Sequence, residues 1–305
     1  MIKNYALSTD KKLEPSDTLT NFTHILKPTR EEIGQVSEYF DFPFDYLGGI
    51  LDDFEQARFE TDSHDNNLIL LQYPATSEEG EVEIFPYSLI WTKDESVILA
   101  HNHEVEATDV FTRTYDLKRY KHQIIYQIMS QMMHTFQTHL QEFRLHNKQL
   151  EKSIKNSTKN DQIIEMIVIQ ESLIYFEFAL KNNKDVLQKF IAYLREEDED
   201  GWADRIYDIY VDADQAYTET IIQLKLLENL RDLFSNIVSN NLNIVMKIMT
   251  SATFVLGIPT LISGFYGMNV HIPGQAIPWM LLPIVIVMLA ATIGVSWWLK
   301  KKDMM

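Results

Sequence analysis

Tyr266-Gly267-Met268-Asn269 ends one uncharged apolar stretch of the chain, and a second such stretch follows after a short loop. An Asn at the turn between two apolar spans presents a carboxamide oxygen where a cation would arrive. Upstream of it, Asp232, Ser239, Asn243, Met246, Thr250, Thr253, Gly257, Thr260 and Gly264 recur mostly at alternating steps of three and four residues. That period, near 3.5, defines one face of a helix. Two readings fit its small and hydroxyl members: close packing against neighbouring helices, or the lining of a water-filled path in which polar groups keep their hydration. The carboxylate and carboxamides on the same stripe favour the path. Two spans cannot enclose one, so several copies must surround a common axis, and each stripe position then becomes a ring. Asp232 lies about 24 Å before the first span by helix rise and would attract cations. Met246, with Met249 one turn on, would form an apolar collar that closes by dewetting. Asn269 would form a ring of oxygens at the far mouth.

The elements that must position these residues are two spans. Ile248 to Phe265 is uncharged and would extend about 27 Å as a helix. Pro278 to Leu299 is also uncharged and would extend about 33 Å. Trp279 and Trp297-Trp298 stand at its two ends, where interfacial aromatics belong. Lys247 precedes the first span and Lys300, Lys301 and Lys302 follow the second, while 267–277 has no Lys or Arg. The positive-inside rule then places both termini in the cytoplasm and the Gly267-Met268-Asn269 turn outside.

Upstream, residues 1–115 read as mixed α/β. Strands are expected at Leu68–Tyr73, Val82–Trp91 and Ser96–His101, and helices at Arg30–Phe40 and Asp45–Asp53. His101 and His103 on a strand would share a face as a metal-ligating pair, or be plain strand residues. Residues 116–203 hold two long helical patterns, Leu117–Lys155 and Asp161–Glu196, with breaks at Asn156–Asn160 and at the acidic run ending in Gly201. A third starts near Asp204 and meets no Pro or Gly until Gly257, so 204–266 is expected to run unbroken into the first span. Pro259 would kink the span near Gly257 or be tolerated beside Thr260.

The net charge is −17. From Lys247 onward there are four Lys and one Asp, a net +3, which leaves −20 on residues 1–246. Such a body concentrates cations and argues against nucleic acid as a partner. The chain has no cysteine, which excludes disulfides and thiolate metal sites and fits a reducing compartment. Its first residues carry no apolar signal core, so the N-terminal body is expected in the cytoplasm. There is no phosphate-binding glycine loop, nucleophile elbow or HExxH motif. Neither an enzyme nor ATP coupling is indicated.

From about Asn243 to the C-terminus the chain resembles the CorA-type divalent cation channels. The resemblance rests on Tyr266-Gly267-Met268-Asn269, the two terminal spans, Lys300–Lys302, the approach Asn243 to Thr250, and Pro259-Thr260. Upstream it is architectural. It implies an α+β cytoplasmic domain with long helices forming a funnel, a two-helix transmembrane C-terminus and a homopentamer in the plasma or inner membrane. It implies Mg²⁺ as transported and regulatory ion, with no catalytic cofactor; the bilayer, the other copies and divalent cations are the partners. Asn269, with Gly267 and Met268, would meet the ion while it is still hydrated, because Mg²⁺ gives up water reluctantly. The resemblance also implies an inhibitory Mg²⁺ site between subunits. Among Asp204, Asp208 and Asp212, spaced i, i+4, Asp208 is the best match by distance from the membrane. The same spacing also describes a solvated acidic helix start.

One departure bears on the ion. Residues 270–277 contain no Asp or Glu, and His271 would suit a softer metal. A Zn²⁺ transporter of the same architecture is therefore the alternative, and a non-conducting membrane-anchored scaffold the reading from another class.

Overall fold

The computed structural model describes residues 1–19, 21–76, 82–103, 113–116, 119–156, 159–197, 201–269 and 279–302. It divides into two units, Met1–Arg231 and Asp232–Met305.

The first unit is built on a seven-stranded sheet: β1 (Ile2–Leu7), β2 (Leu13–Ser16), β3 (Phe22–Leu26), β4 (Arg58–Thr61), β5 (Asn67–Thr76), β6 (Val82–Trp91) and β7 (Val97–His101). The order is β2-β1-β3-β7-β6-β5-β4. Every pairing is antiparallel except β3 with β7, where Phe22 stands opposite Val97 and Leu26 opposite His101. β5 and β6 are the longest pair, in register from Asn67 opposite Trp91 to Thr76 opposite Val82. Their residues are buried on both sides over most of their length, as in strands covered on both faces.

One face is covered by α1 (Arg30–Phe40) and α2 (Asp45–Gly48). Ile33, Val36, Leu47 and Ile50 pack there with Ile25, Leu68, Leu70, Ile90 and Ile98. Thr29 and Glu32 close a reciprocal capping box at the start of α1. The helix expected over Asp45–Asp53 ends early, continuing only as a 3₁₀ turn, Gly49–Leu51. Gly49 lies against β5, where a Cβ would meet Leu70 Cδ1 at 2.8 Å, so any side chain there would force Leu70 to shift.

The opposite face carries two long helices, α3 (Tyr120–Asn156) and α4 (Asn160–Glu197). Phe190 of α4 sits 5.4 Å from the Trp91 ring and 5.7 Å from Phe59, and the buried Tyr87 hydroxyl reaches Met132 Sδ of α3 at 3.1 Å. Gly201, at φ +75°, makes the turn that releases the next helix. That helix, α5 (Trp202–Tyr266), runs 65 residues and contains Pro259. Its first residue is buried, with the His122 ring of α3 stacked on Trp202 at 5.6 Å. Farther along, Asn147 of α3 donates to Gln223 Oε1 at 3.0 Å. α6 (Leu281–Lys301) closes the described chain.

His101 and His103 do not share a strand. β7 ends at His101, and the imidazole facing His101 is that of His24 on β3, with Nε2 atoms 2.7 Å apart.

Candidate functional site

The second unit holds the residues whose chemistry opened the sequence reading. Both of its apolar helical segments are long enough to cross a membrane, and almost none of their side chains are buried. A soluble core helix would be covered. Phe254, Leu256, Leu261, Leu282, Ile293 and Trp297 instead face outward, which water does not tolerate over such an area and lipid does. Lys301 is the last residue of α6, its ammonium 5.5 Å from the Trp297 ring. Lys300 and Lys302 are exposed beside it.

Along α5, Thr250, Thr253 and Gly257 line a groove of about 450 Å³ with Phe254, Ile258 and Leu261. A Cβ at Gly257 or at Gly264 would meet nothing within 4 Å, so these glycines leave the helix surface open. Thr253 donates its hydroxyl to Met249 O and Thr260 to Leu256 O, each at 2.9 Å. Hydrogens committed to the backbone leave the oxygen lone pairs facing outward as acceptors. Pro259 sits inside the helix without ending it.

The helix closes at the turn. Gly267 N–H still reaches Ser263 O at 2.9 Å, and Met268 N–H tightens to Phe265 O at 3.3 Å. A Cβ at Gly267 would lie 3.2 Å from Ser263 O, closer than side chains normally come, which gives the glycine a steric reason. Met268 and Asn269 follow, both exposed. Residues 270–277, with His271, and Pro278 lie outside the described residues.

From Ser239 to Thr250 the helix is exposed on every side. Leu242, Ile244, Val245, Met246 (62% exposed), Ile248 and Met249 (66%) all lie bare within that stretch, which also carries Asn243. Asp232 is exposed as well. In the first unit Asp204, Asp208 and Asp212 are exposed on α5, and among the described residues no three His, Asp or Glu side chains converge to hold a metal within one chain.

A mixed-sheet domain, long helices and two bare apolar C-terminal helices define a membrane protein of the two-span class. The family model described as CorA-like Mg²⁺ transporter protein matches residues 19–301, and the chain belongs to that family. It is 24% identical over 256 residues to the cobalt/magnesium transport protein CorA of Methanocaldococcus jannaschii, covering 79% of this chain and 77% of that one. The complete structure of the CorA magnesium transporter from the same organism is similar with a TM-score of 0.81 at 18% identity, over 98% of this chain and 95% of that one. The ZntB cytoplasmic domain from Vibrio parahaemolyticus is similar with a TM-score of 0.62 at 12% identity, over 78% and 98%.

The pairing of His24 with His101 was not legible in advance. The parallel β3–β7 register that brings them together carries no local mark in the sequence.

Proposed function

We propose that this chain passes divalent cations, Mg²⁺ first, through a pore on the axis of a homopentamer in the plasma or inner membrane. Both termini and the first unit are cytoplasmic, and Lys300–Lys302 hold the inner end of the second span. The observation that carries the reading is the stretch of α5 from Ser239 to Thr250, bare on every side in a single chain. Six large apolar residues there need partners, and further copies of the same helix supply them. That arrangement turns the stripe inward.

Hydrated ions meet the Asn269 carboxamides, held at the helix end by Gly267 and Met268, and then follow Gly264, Thr260, Gly257 and Thr253. Met249 and Met246 form the apolar closure. Asn243 and then Asp232 receive the ion on the cytoplasmic side. Asp208 binds intracellular Mg²⁺ between subunits and holds the closed state. The membrane potential suffices as the driving force. At about 2.3 kcal/mol per charge per 100 mV, a divalent ion gains about 4.6 kcal/mol, roughly three orders of magnitude in concentration ratio. The names of the relatives support magnesium over zinc.

Flux of Mg²⁺ into liposomes carrying the purified protein tests the reading. Asn269→Ala is expected to abolish uptake while the oligomer persists on a sizing column. Normal uptake by that variant refutes the assignment, and Zn²⁺ flux dependent on a pH gradient, without Mg²⁺ flux, identifies the other ion.

A further inference from the structure

The cytoplasmic unit carries two surfaces of opposite sign. The first is a groove of about 580 Å³ between the sheet and α4, lined by Phe54, Tyr175 and Phe178 together with Asp53, Glu83 and Glu171. Phe54 is 83% exposed, the barest large apolar side chain among the described residues, and Tyr175 and Phe178 are half bare. No Lys or Arg lines this groove. Asp53 engages His103 at 3.2 Å. Among the described residues Glu83 and Glu171 have no ion-pair partner.

The second surface is a groove of about 600 Å³ between α3 and α5. Leu145 stands exposed in it, flanked by Arg144 and Lys148 one helical turn apart. Among the described residues no carboxylate lies within ion-pair distance of either cation. Gln141 and Gln215 add neutral polar lining, and the one acid present, Glu219, accepts from Gln223 Nε2 at 2.7 Å. On a body of −20, a groove lined by two cations and a single carboxylate stands out.

We propose that the acidic aromatic groove around Phe54 of one copy seats against the basic α3–α5 groove around Leu145 of the next. The two surfaces differ, so the contact is head-to-tail, and repeated around a rotation axis it closes into a ring. Aromatic anchors flanked by charges of opposite sign have the anatomy of interface hot spots. The committed occupant is a second copy of this chain, because the same molecule displays the complement of its own groove. The inference rests on the homo-oligomer reading above and adds the contact that joins the cytoplasmic units.

The cysteine-free chain makes thiol cross-linking clean. Two differently tagged full-length chains, one Phe54→Cys and the other Leu145→Cys, are co-expressed in membranes and treated with a short bis-maleimide. The expected product joins both tags, at least tenfold above either variant alone. Arg144→Glu with Lys148→Glu should remove it, and adding Glu83→Lys with Glu171→Lys on the other chain should restore it. Asn243→Cys on α5, cross-linked to itself, reports whether oligomers form at all. If Asn243→Cys joins copies and the Phe54–Leu145 product is missing, the interface is wrong and the oligomer stands. If neither forms, the oligomer reading fails, and this contact fails with it.

Discussion

Asn183 of α4 docks on the backbone of Gln72 as a strand would: its Oδ1 accepts from Gln72 N–H at 3.0 Å, and its Nδ2 donates to Gln72 O at 2.7 Å. β4 pairs with β5 only as far as Leu70, so beyond that point β5 has an uncovered edge. The buried carboxamide substitutes for the missing neighbour. Opposite Gln72 stands Pro86, whose missing N–H falls past the end of β7 at the Tyr87–His101 pair. Neither residue leaves a ladder bond broken.

Asn183→Ala leaves a buried N–H and a buried C=O of Gln72 without partners. A loss of about 2–3 kcal/mol is expected, read as a lower thermal midpoint of the purified protein. Asn183→Asp sets a carboxylate against Gln72 O in a fully buried site and should cost at least as much. A midpoint unchanged by the alanine would show that water replaces the carboxamide.

His24 and His101 make stability depend on pH. His101 Nδ1 donates to His103 O at 2.5 Å, so its Nε2 is the acceptor and His24 Nε2–H the donor. Burial is the main cause that lowers His24 to about 3 and His101 to about 4. Lys3 and the N-terminal ammonium add to it at His24, as His103, which faces Asp53, does at His101. Tyr73 also lies beside His101, ring centroids 6.2 Å apart. Unfolded, both rings titrate near about 6.5. Their contribution is therefore complete above that pH and declines as pH falls from about 6.5 toward 4, where the unfolded chain takes protons that the pair refuses. A loss on the order of 4 kcal/mol between pH 7 and 5, about half from each ring, is expected. Thermal midpoints of wild type and of His24→Asn with His101→Asn should differ in pH slope over that window; equal slopes would remove the pair from the account.

Gly257→Leu separates the two meanings of the polar stripe. If the stripe lines the ion path, the leucine fills the groove beside Thr253, and Mg²⁺ flux falls at least tenfold with the oligomer intact. If the stripe is a packing seam, the oligomer itself comes apart. Flux and sizing on the same preparation decide between them.

Asp208→Asn should leave maximal flux unchanged and raise the internal Mg²⁺ needed to shut it off by about tenfold, roughly 1.4 kcal/mol of lost binding. The same inhibition curve in wild type and variant would move the sensor elsewhere on the acidic body.

Long periodic elements were legible in advance because their signals are local. Val82–Trp91 is the expected strand, and the three long helices lie within a few residues of their expected bounds. β1 to β4 were not foreseen. β2 is four residues containing Pro15, β4 is four residues with two charges, and β1 mixes Lys3 and Asn4 into its alternation. Each becomes a strand only because a partner is already in place. The turn at Asn269 and the stripe leading to it were readable because composition in a membrane span is tightly constrained. The Phe54 and Leu145 grooves were not, since each is assembled from segments far apart in the chain.

The hydroxyls of Thr253 and Thr260 bend their hydrogens back to Met249 O and Leu256 O; in the proposed pore this would favour one sign of ion. Those two oxygens, their hydrogens committed, can accept the outward-pointing protons of a cation's water shell. An anion's shell turns its water oxygens outward, and these two hydroxyls offer them no hydrogen. Rejection of anions then requires no fixed charge along the span. In that pore it would not depend on pH, since neither hydroxyl titrates in the accessible range.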